Sequence, residues 1–222
     1  MQTEVHGSPA GVAERAAELV LAAATTAIAE RGAFKLVLAG GTTPMACYDL
    51  MAEAKADWNR WHLYFGDERC LGAEDPERNS VMAAGHLTDR VPIPVAQVHP
   101  IAAERGATAA ATAYSPLVEA ALPFDLVLLG MGEDGHTASL FPGDRHPEKA
   151  LVVPVHGAPK PPPERVSLGP AALIACRQML VLVTGAGKRS AMKQWRAGED
   201  LPIAQFTGVE HSILLLDEEA NP

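Results

Sequence analysis

The chain has 222 residues, of which 48% are hydrophobic, and its formal net charge at pH 7 is -9. This length predicts one domain, residues 1–222, with a sizeable core. An acidic chain is a poor non-specific partner for nucleic acid, and no apolar run is long enough to span a bilayer. We therefore expect neither nucleic acid nor a membrane as a partner, although a few focused donors could still bind a small anion.

The N-terminus and the cysteines indicate a cytoplasmic protein. Residues 1–12 lack a basic segment followed by an apolar core, so no secretory signal is visible. Cys47, Cys70 and Cys176 are odd in number and widely spaced, which favours reduced thiols over disulfides or a zinc site. We expect chemistry without a metal or another cofactor.

Helices and strands are predicted to alternate along the chain. The first helix starts at Ser8-Pro9, a capping residue followed by a proline suited to the first turn, and ends at Arg31-Gly32. Further helices are predicted at 44–53, 79–87, 102–121, 170–176 and 188–196. Strands are predicted at 34–39, 61–65, 97–100, 124–129, 151–155, 165–168, 179–184 and 211–216. This alternation predicts an α/β fold with a mostly parallel sheet.

The loop at 130–143 follows the apolar strand 124–129 and is rich in glycine. Loops at the carboxyl ends of parallel strands commonly bind ligands. His136 is the one histidine of eight in such a loop, and imidazole changes charge near neutral pH. This favours a catalytic His136 over a histidine that only bonds its own loop. Asp134 either shapes the loop or tunes His136, whereas His6 is expected in a mobile terminus.

A second loop, Gly40-Gly41-Thr42-Thr43, joins a predicted strand to a helix. Its glycines expose backbone N–H groups, its threonines add hydroxyl donors, and a helix N-terminus favours anions. The pattern is neither a Walker A loop nor G-x-G-x-x-G, so a nucleotide is not implied. From the loop alone, an ordinary strand–helix turn with a threonine cap is an equal alternative to a phosphate site.

Two cations follow loops that could carry a ligand. Arg165 begins a strand after a stiff, proline-rich stretch, and Lys188 begins a helix. A cation at a helix start opposes the helix dipole, and an anionic ligand would explain it. The alternative is a solvated basic pair, Lys188-Arg189.

The segment Asp67-Glu68-Arg69 follows strand 61–65. Adjacent carboxylates on a strand face opposite sides, so both serve one site only if the strand has already turned. One of them can hold Arg69, whose charge could stabilise a substrate oxygen. Asn79 stands where a helix starts and could be a simple cap. A surface cluster of ion pairs is the alternative reading of this segment.

Five segments, in chain order, resemble those of the 6-phosphogluconolactonase family: 38–44 (LAGGTTP), 65–69 (FGDER), 132–142 (GEDGHTASLFP), 165–168 (RVSL) and 184–188 (TGAGK). The resemblance implies the Rossmann-like fold shared with glucosamine-6-phosphate deaminase. It also implies hydrolysis of a phosphorylated sugar lactone by a monomer or weak homo-oligomer, with no cofactor.

The resemblance also implies roles for the residues above. His136 would act as general base, assisted by Asp134, and Arg69 would stabilise the oxyanion. The phosphate and sugar would contact three sets of residues: the Gly40, Gly41, Thr42 and Thr43 loop; Asp67 and Asn79; and Arg165 and Lys188.

Three other functions fit less well. Deaminases of this fold carry a carboxylate five residues after the histidine, where this chain has Phe141, and a tyrosine in place of Arg69. A sugar-phosphate sensor usually has a DNA-binding segment, and no basic helix-turn-helix pattern precedes residue 34. A serine hydrolase built on Ser139 lacks the G-x-S-x-G elbow.

Overall fold

The computed structural model describes residues 1–206 and 208–222 and contains two sheets. The strands are β1 (Gln2–His6), β2 (Phe34–Leu38), β3 (Trp61–Phe65), β4 (Asp67–Arg69), β5 (Val98–His99), β6 (Phe124–Gly130), β7 (Val152–Val155), β8 (Arg165–Leu168), β9 (Cys176–Val183) and β10 (Ser212–Asp217). The helices are α1 (Pro9–Arg31), α2 (Thr42–Ala52), α3 (Asn79–Ala83), α4 (Ala107–Ala121), α5 (Pro170–Ile174) and α6 (Arg189–Arg196). No helix in these residues is both long and apolar enough to cross a membrane.

The main sheet has seven strands in the order β1-β10-β9-β6-β2-β3-β5, and every neighbouring pair is parallel. The predicted Rossmann-like α/β architecture is therefore confirmed. Residues 124–129 of β6 are buried, as expected of a central parallel strand covered on both faces. A smaller antiparallel sheet, β4-β8-β7, lies beside the main one.

The long first helix forms where its end signals predicted. The Ser8 hydroxyl accepts the N–H of Gly11 at 3.2 Å, and Gly32 closes the helix in the left-handed conformation with φ 79°. Val12, Ala16 and Val20 lie on the face of α1 that packs on the sheet. Small side chains at this spacing let the helix approach the strands closely.

Two strands have no clear sequence signal. β1 pairs with β10, and His6 lies opposite Asp217, so the expectation of a mobile terminus was wrong. The polar segment QTEVH is ordered by backbone hydrogen bonds to β10, which apolar periodicity does not report. β4 has only three residues, too few to show the alternation of side chains that marks a strand.

The helix predicted at 102–121 begins only at Ala107, after Gly106 with φ 88°.

The topology gathers the candidate residues at one edge of the molecule. The loops after β2, β6 and β9 leave the carboxyl ends of parallel strands, which is the edge where such sheets bind ligands. The smaller sheet adds side chains to the same edge, because Arg69 of β4 pairs directly with Arg165 of β8.

Candidate active site

A cavity of about 300 Å³ opens at this edge. Eight predicted residues line it: Gly40, Gly41, Asp67, Arg69, Asn79, His136, Arg165 and Lys188. Asp134, Thr42 and Thr43 are not part of the lining. Asp134 contacts His136, Thr42 is exposed, and the Thr43 hydroxyl lies 2.6 Å from that of Thr184. Thr43 thus ties the Gly40–Gly41 loop to the loop before α6.

His136 is held from behind by Asp134. Its Nδ1 lies 2.5 Å from Asp134 Oδ1, and the same oxygen accepts the His136 backbone N–H at 3.3 Å. An ionised carboxylate only accepts hydrogen bonds, so it assigns the proton of neutral His136 to Nδ1. Nε2 then carries the lone pair and is free to accept a proton at the cavity.

Gly132 makes this arrangement possible. A Cβ at this position would lie 2.0 Å from His136 Nδ1 and 2.6 Å from Asp134 Oδ1. Its N–H also donates to the carbonyl of His136 at 2.7 Å. Any side chain here would displace the histidine or its carboxylate partner.

The environment keeps His136 neutral near pH 7. Burial lowers the pKa of His136 because it penalises the imidazolium, and the hydrogen bond and charge of Asp134 only partly offset this. Burial is the largest single influence on the pKa of Asp134 and raises it, but the hydrogen bonds to the carboxylate and the charge of His136 together outweigh it, so the pKa is lowered. The pair is thus a carboxylate and a neutral imidazole, the state a general base requires.

A second carboxylate, Asp67, faces the cavity from β4. Ser139 donates its hydroxyl to Asp67 Oδ2 at 2.6 Å, and Asn79 donates its amide to Oδ1 at 2.9 Å. Burial raises the pKa of Asp67, which the Ser139 hydrogen bond opposes. Asp67 is thereby fixed in one orientation. Ser139 was considered in the sequence only as a nucleophile, and its part in holding Asp67 was missed.

Glu68 points away from Asp67, as alternation along a strand requires. Its carboxylate accepts the backbone N–H groups of Arg69, Asn79 and Ser80 at 2.8–2.9 Å. It also lies 3.4 Å from the buried guanidinium of Arg78. Glu68 therefore fixes the backbones that carry Arg69 and Asn79. Asn79 is the first residue of α3, as predicted, and its side chain reaches Asp67.

The cations converge from different elements. Arg69 and Arg165 lie on paired strands, and Lys188 ends the turn before α6. A further lining residue, Lys160, was missed because the sequence showed it only as part of a stiff, proline-rich loop. The sequence feature that could have indicated Lys160 as a site residue was its position five residues before Arg165.

The described residues, 1–206 and 208–222, contain no group of three or more His, Cys, Asp or Glu side chains that could hold a metal ion. The titratable side chains that line the cavity are those of His136, Asp67, Arg69, Lys160, Arg165 and Lys188.

The fold and this site together define an α/β enzyme that acts on a small anionic substrate. Residues 7–214 match the family described as glucosamine-6-phosphate isomerases/6-phosphogluconolactonase. The chain is 40% identical to the 6-phosphogluconolactonase of Streptomyces coelicolor, covering 99% of this chain and 93% of that protein. It is 38% identical to the Mycobacterium tuberculosis 6-phosphogluconolactonase, covering 92% and 91%.

Solved structures agree with the sequence relatives. The 6-phosphogluconolactonase of Thermotoga maritima superposes with a TM-score of 0.89 at 28% identity, covering 97% of this chain and 98% of that one. A monomeric glucosamine-6-phosphate deaminase shares the fold, with a TM-score of 0.86 at 20% identity and coverage of 99% and 98%. The chain belongs to the glucosamine-6-phosphate isomerase/6-phosphogluconolactonase family.

Proposed function

We propose that the protein is a 6-phosphogluconolactonase, which hydrolyses 6-phospho-D-glucono-1,5-lactone to 6-phospho-D-gluconate in the oxidative pentose phosphate pathway. The observation that carries this proposal is the His136–Asp134 pair at a cavity lined by cations. The relatives named 6-phosphogluconolactonase, which align over nearly the whole chain, support the same activity.

The reaction needs a base, an oxyanion donor and an anchor for the phosphate. Lys188 and Arg165, with the Gly40–Gly41 backbone, anchor the phosphate and so orient the lactone carbonyl. His136 Nε2 takes a proton from water, which attacks the carbonyl carbon, and Asp134 stabilises the resulting imidazolium.

The tetrahedral intermediate then collapses. Until it does, its oxyanion is stabilised by Arg69 or by loop N–H groups, which need no reorganisation as the charge develops. His136 returns its proton to the departing ring oxygen, leaving an open-chain carboxylic acid, which ionises near neutral pH and releases the remaining proton of the attacking water. In this scheme Asp67 and Asn79, fixed by their mutual hydrogen bond, bind the sugar hydroxyls. A lactone is an activated ester, so the scheme uses no cofactor.

The alternative activity within the family is deamination of glucosamine 6-phosphate. The Phe141 ring centroid lies 4.8 Å from that of His136, so the deaminase-type carboxylate position is next to the base. A phenyl ring cannot relay a proton, which favours the lactonase. A sensor that binds without turnover is the third candidate, and the base-competent histidine argues against it.

One experiment separates the three candidates. The purified chain is mixed in turn with fresh 6-phosphogluconolactone and with glucosamine 6-phosphate, while acid release, ammonia release and heat are recorded. We expect acid release from the lactone above its spontaneous hydrolysis, and no ammonia. Ammonia release would support the deaminase, and heat of binding without acid would support the sensor.

We also propose that the enzyme acts in the cytoplasm. Cys47, Cys70 and Cys176 are all free in the structure, and burial raises the pKa of Cys47 and of Cys176 to about 12. Three unpaired cysteines fit a reducing compartment.

A further inference from the structure

The loop 156–164 is tied down at several points although it projects from the smaller sheet. His156 Nδ1 lies 2.6 Å from Glu164 Oε2, and the Ala158 N–H donates to the Pro163 carbonyl at 2.9 Å. Both ties bring the two ends of the loop together. The apex of the loop, Lys160, lines the cavity.

Arg165 holds this apex from inside the protein. Its Nε donates to the Pro162 carbonyl at 3.0 Å, and Nη2 donates to the carbonyls of Lys160 and Pro161 at 3.0 and 3.1 Å. The Arg165 side chain is buried, and its guanidinium lies 5.7 Å from the centre of the Phe141 ring. A planar group with several fixed donors suits this task, which a lysine could not perform.

Lys160 and Lys188 lie on different loops and line the same cavity. Within residues 1–206 and 208–222, neither lysine forms an ion pair with a carboxylate. Burial lowers the pKa of Lys188, Glu133 partly offsets this effect, and the charge of Lys160 lowers the pKa further. The two ammonium groups are thus close enough to repel, and an anion between them would relieve that repulsion.

We propose that Lys160 binds the phosphate of the substrate together with Lys188, presented by a loop that Arg165 holds in place. The inference rests on the proposed function for the identity of the ligand, a sugar phosphate. It assigns Arg165 a positioning role in addition to its place in the cavity wall.

The charge of Lys160 also acts on the base. Lys160 is among the charges that lower the pKa of His136, after burial. A bound phosphate neutralises that charge, so the pKa of His136 should rise when a phosphorylated ligand binds. The substrate's phosphate would thereby strengthen the base that acts at the other end of the molecule.

Binding of 6-phosphogluconate, measured by calorimetry, tests the proposal. Lys160→Met keeps the length of the side chain and removes its charge, and we expect the Kd to rise roughly 10- to 100-fold, as for loss of a charge-assisted bond. Lys160→Arg should keep most of the affinity. Lys193→Met, on the exposed side of α6, is the matched control and should bind like the wild type.

An unchanged Kd in folded Lys160→Met, or a loss that Lys160→Arg does not recover, would overturn the proposal. Arg165→Lys tests the loop, because it keeps the charge and loses the three carbonyl contacts. We expect Arg165→Lys alone to weaken binding. The double variant that carries Arg165→Lys and Lys160→Met should bind only slightly more weakly than Lys160→Met alone. Full additivity would overturn the positioning role.

The imidazole of His136, followed by NMR, provides a second readout. Without ligand, its pKa should be higher in Lys160→Met than in the wild type, because the charge of Lys160 lowers it. In the wild type, the pKa should rise more on addition of 6-phosphogluconate than on addition of gluconate, which lacks the phosphate. A wild-type chain that binds 6-phosphogluconate through Lys160 but does not hydrolyse the lactone would refute the proposed function and leave this inference standing.

Discussion

Replacing Asp134 with Asn separates two roles for this side chain. The carboxylate contacts His136 twice, through Nδ1 at 2.5 Å and through the backbone N–H at 3.3 Å. Asparagine retains an oxygen for the backbone contact, so a purely loop-shaping role predicts wild-type activity. If Asp134 instead orients His136 and stabilises its imidazolium, activity must fall.

The size of the fall follows from the kind of hydrogen bond. A bond to a charged group contributes about 1.5–3 kcal/mol and a neutral one about 0.5–1.5 kcal/mol, a difference of roughly 1–1.5 kcal/mol. The Asp134 side chain is 35% exposed, so screening reduces this to about 1 kcal/mol. At about 1.4 kcal/mol per factor of ten, kcat/KM should drop roughly fivefold.

The pH profile gives the sign of the effect. His136 acts as a base only when neutral, so kcat/KM rises with pH through its pKa, which burial places below the ordinary value. Asp134 opposes that lowering, and its loss should move the acidic limb to still lower pH. The assay measures kcat/KM for 6-phosphogluconolactone between pH 5 and 8, with the spontaneous rate of hydrolysis subtracted at each pH. An Asp134→Asn enzyme with the wild-type kcat/KM and an unshifted acidic limb of the pH profile would refute the reasoning.

Four further predictions concern the same site. His136→Ala should lose roughly 10²- to 10⁴-fold in turnover, the usual contribution of a positioned base, yet still bind 6-phosphogluconate in calorimetry; near wild-type turnover in a folded variant would remove the assignment. Gly132→Ala should be almost inactive, since its Cβ would lie 2.0 Å from His136 Nδ1; full activity would mean that the loop relaxes freely. Lys188→Ala should weaken binding of the phosphorylated lactone far more than binding of unphosphorylated gluconolactone, as measured by steady-state kinetics. Equal losses for the two lactones would place Lys188 outside the phosphate site. EDTA should leave the rate unchanged, whereas a loss restored by zinc would contradict the metal-free scheme.

The main sheet apart from β1 and the long helix α1 were predictable because their signals are local. The buried run 124–129 and the Ser8-Pro9 and Gly32 ends carry their own physical reasons. β1 was not predictable, since its five residues gain their structure from pairing with β10 at the far end of the chain.

The candidate site divides in the same way. His136, Lys188 and the Gly40–Gly41 loop follow strands, where sequence patterns indicate ligand binding, and all line the cavity. Lys160 has no such pattern: its position depends on the hydrogen bonds of Arg165 to three carbonyl groups. The Ser139–Asp67 contact joins residues 72 positions apart and appears only in the fold.

The most direct test of the account is acid release from freshly prepared 6-phosphogluconolactone in a pH-stat, with the wild-type chain and His136→Ala measured beside the uncatalysed reaction. We predict rapid acid release by the wild type, well above the spontaneous rate, and a rate close to the spontaneous one for His136→Ala. A wild-type rate equal to the spontaneous rate, under conditions where the chain is folded and binds 6-phosphogluconate, would contradict the assignment as a lactonase.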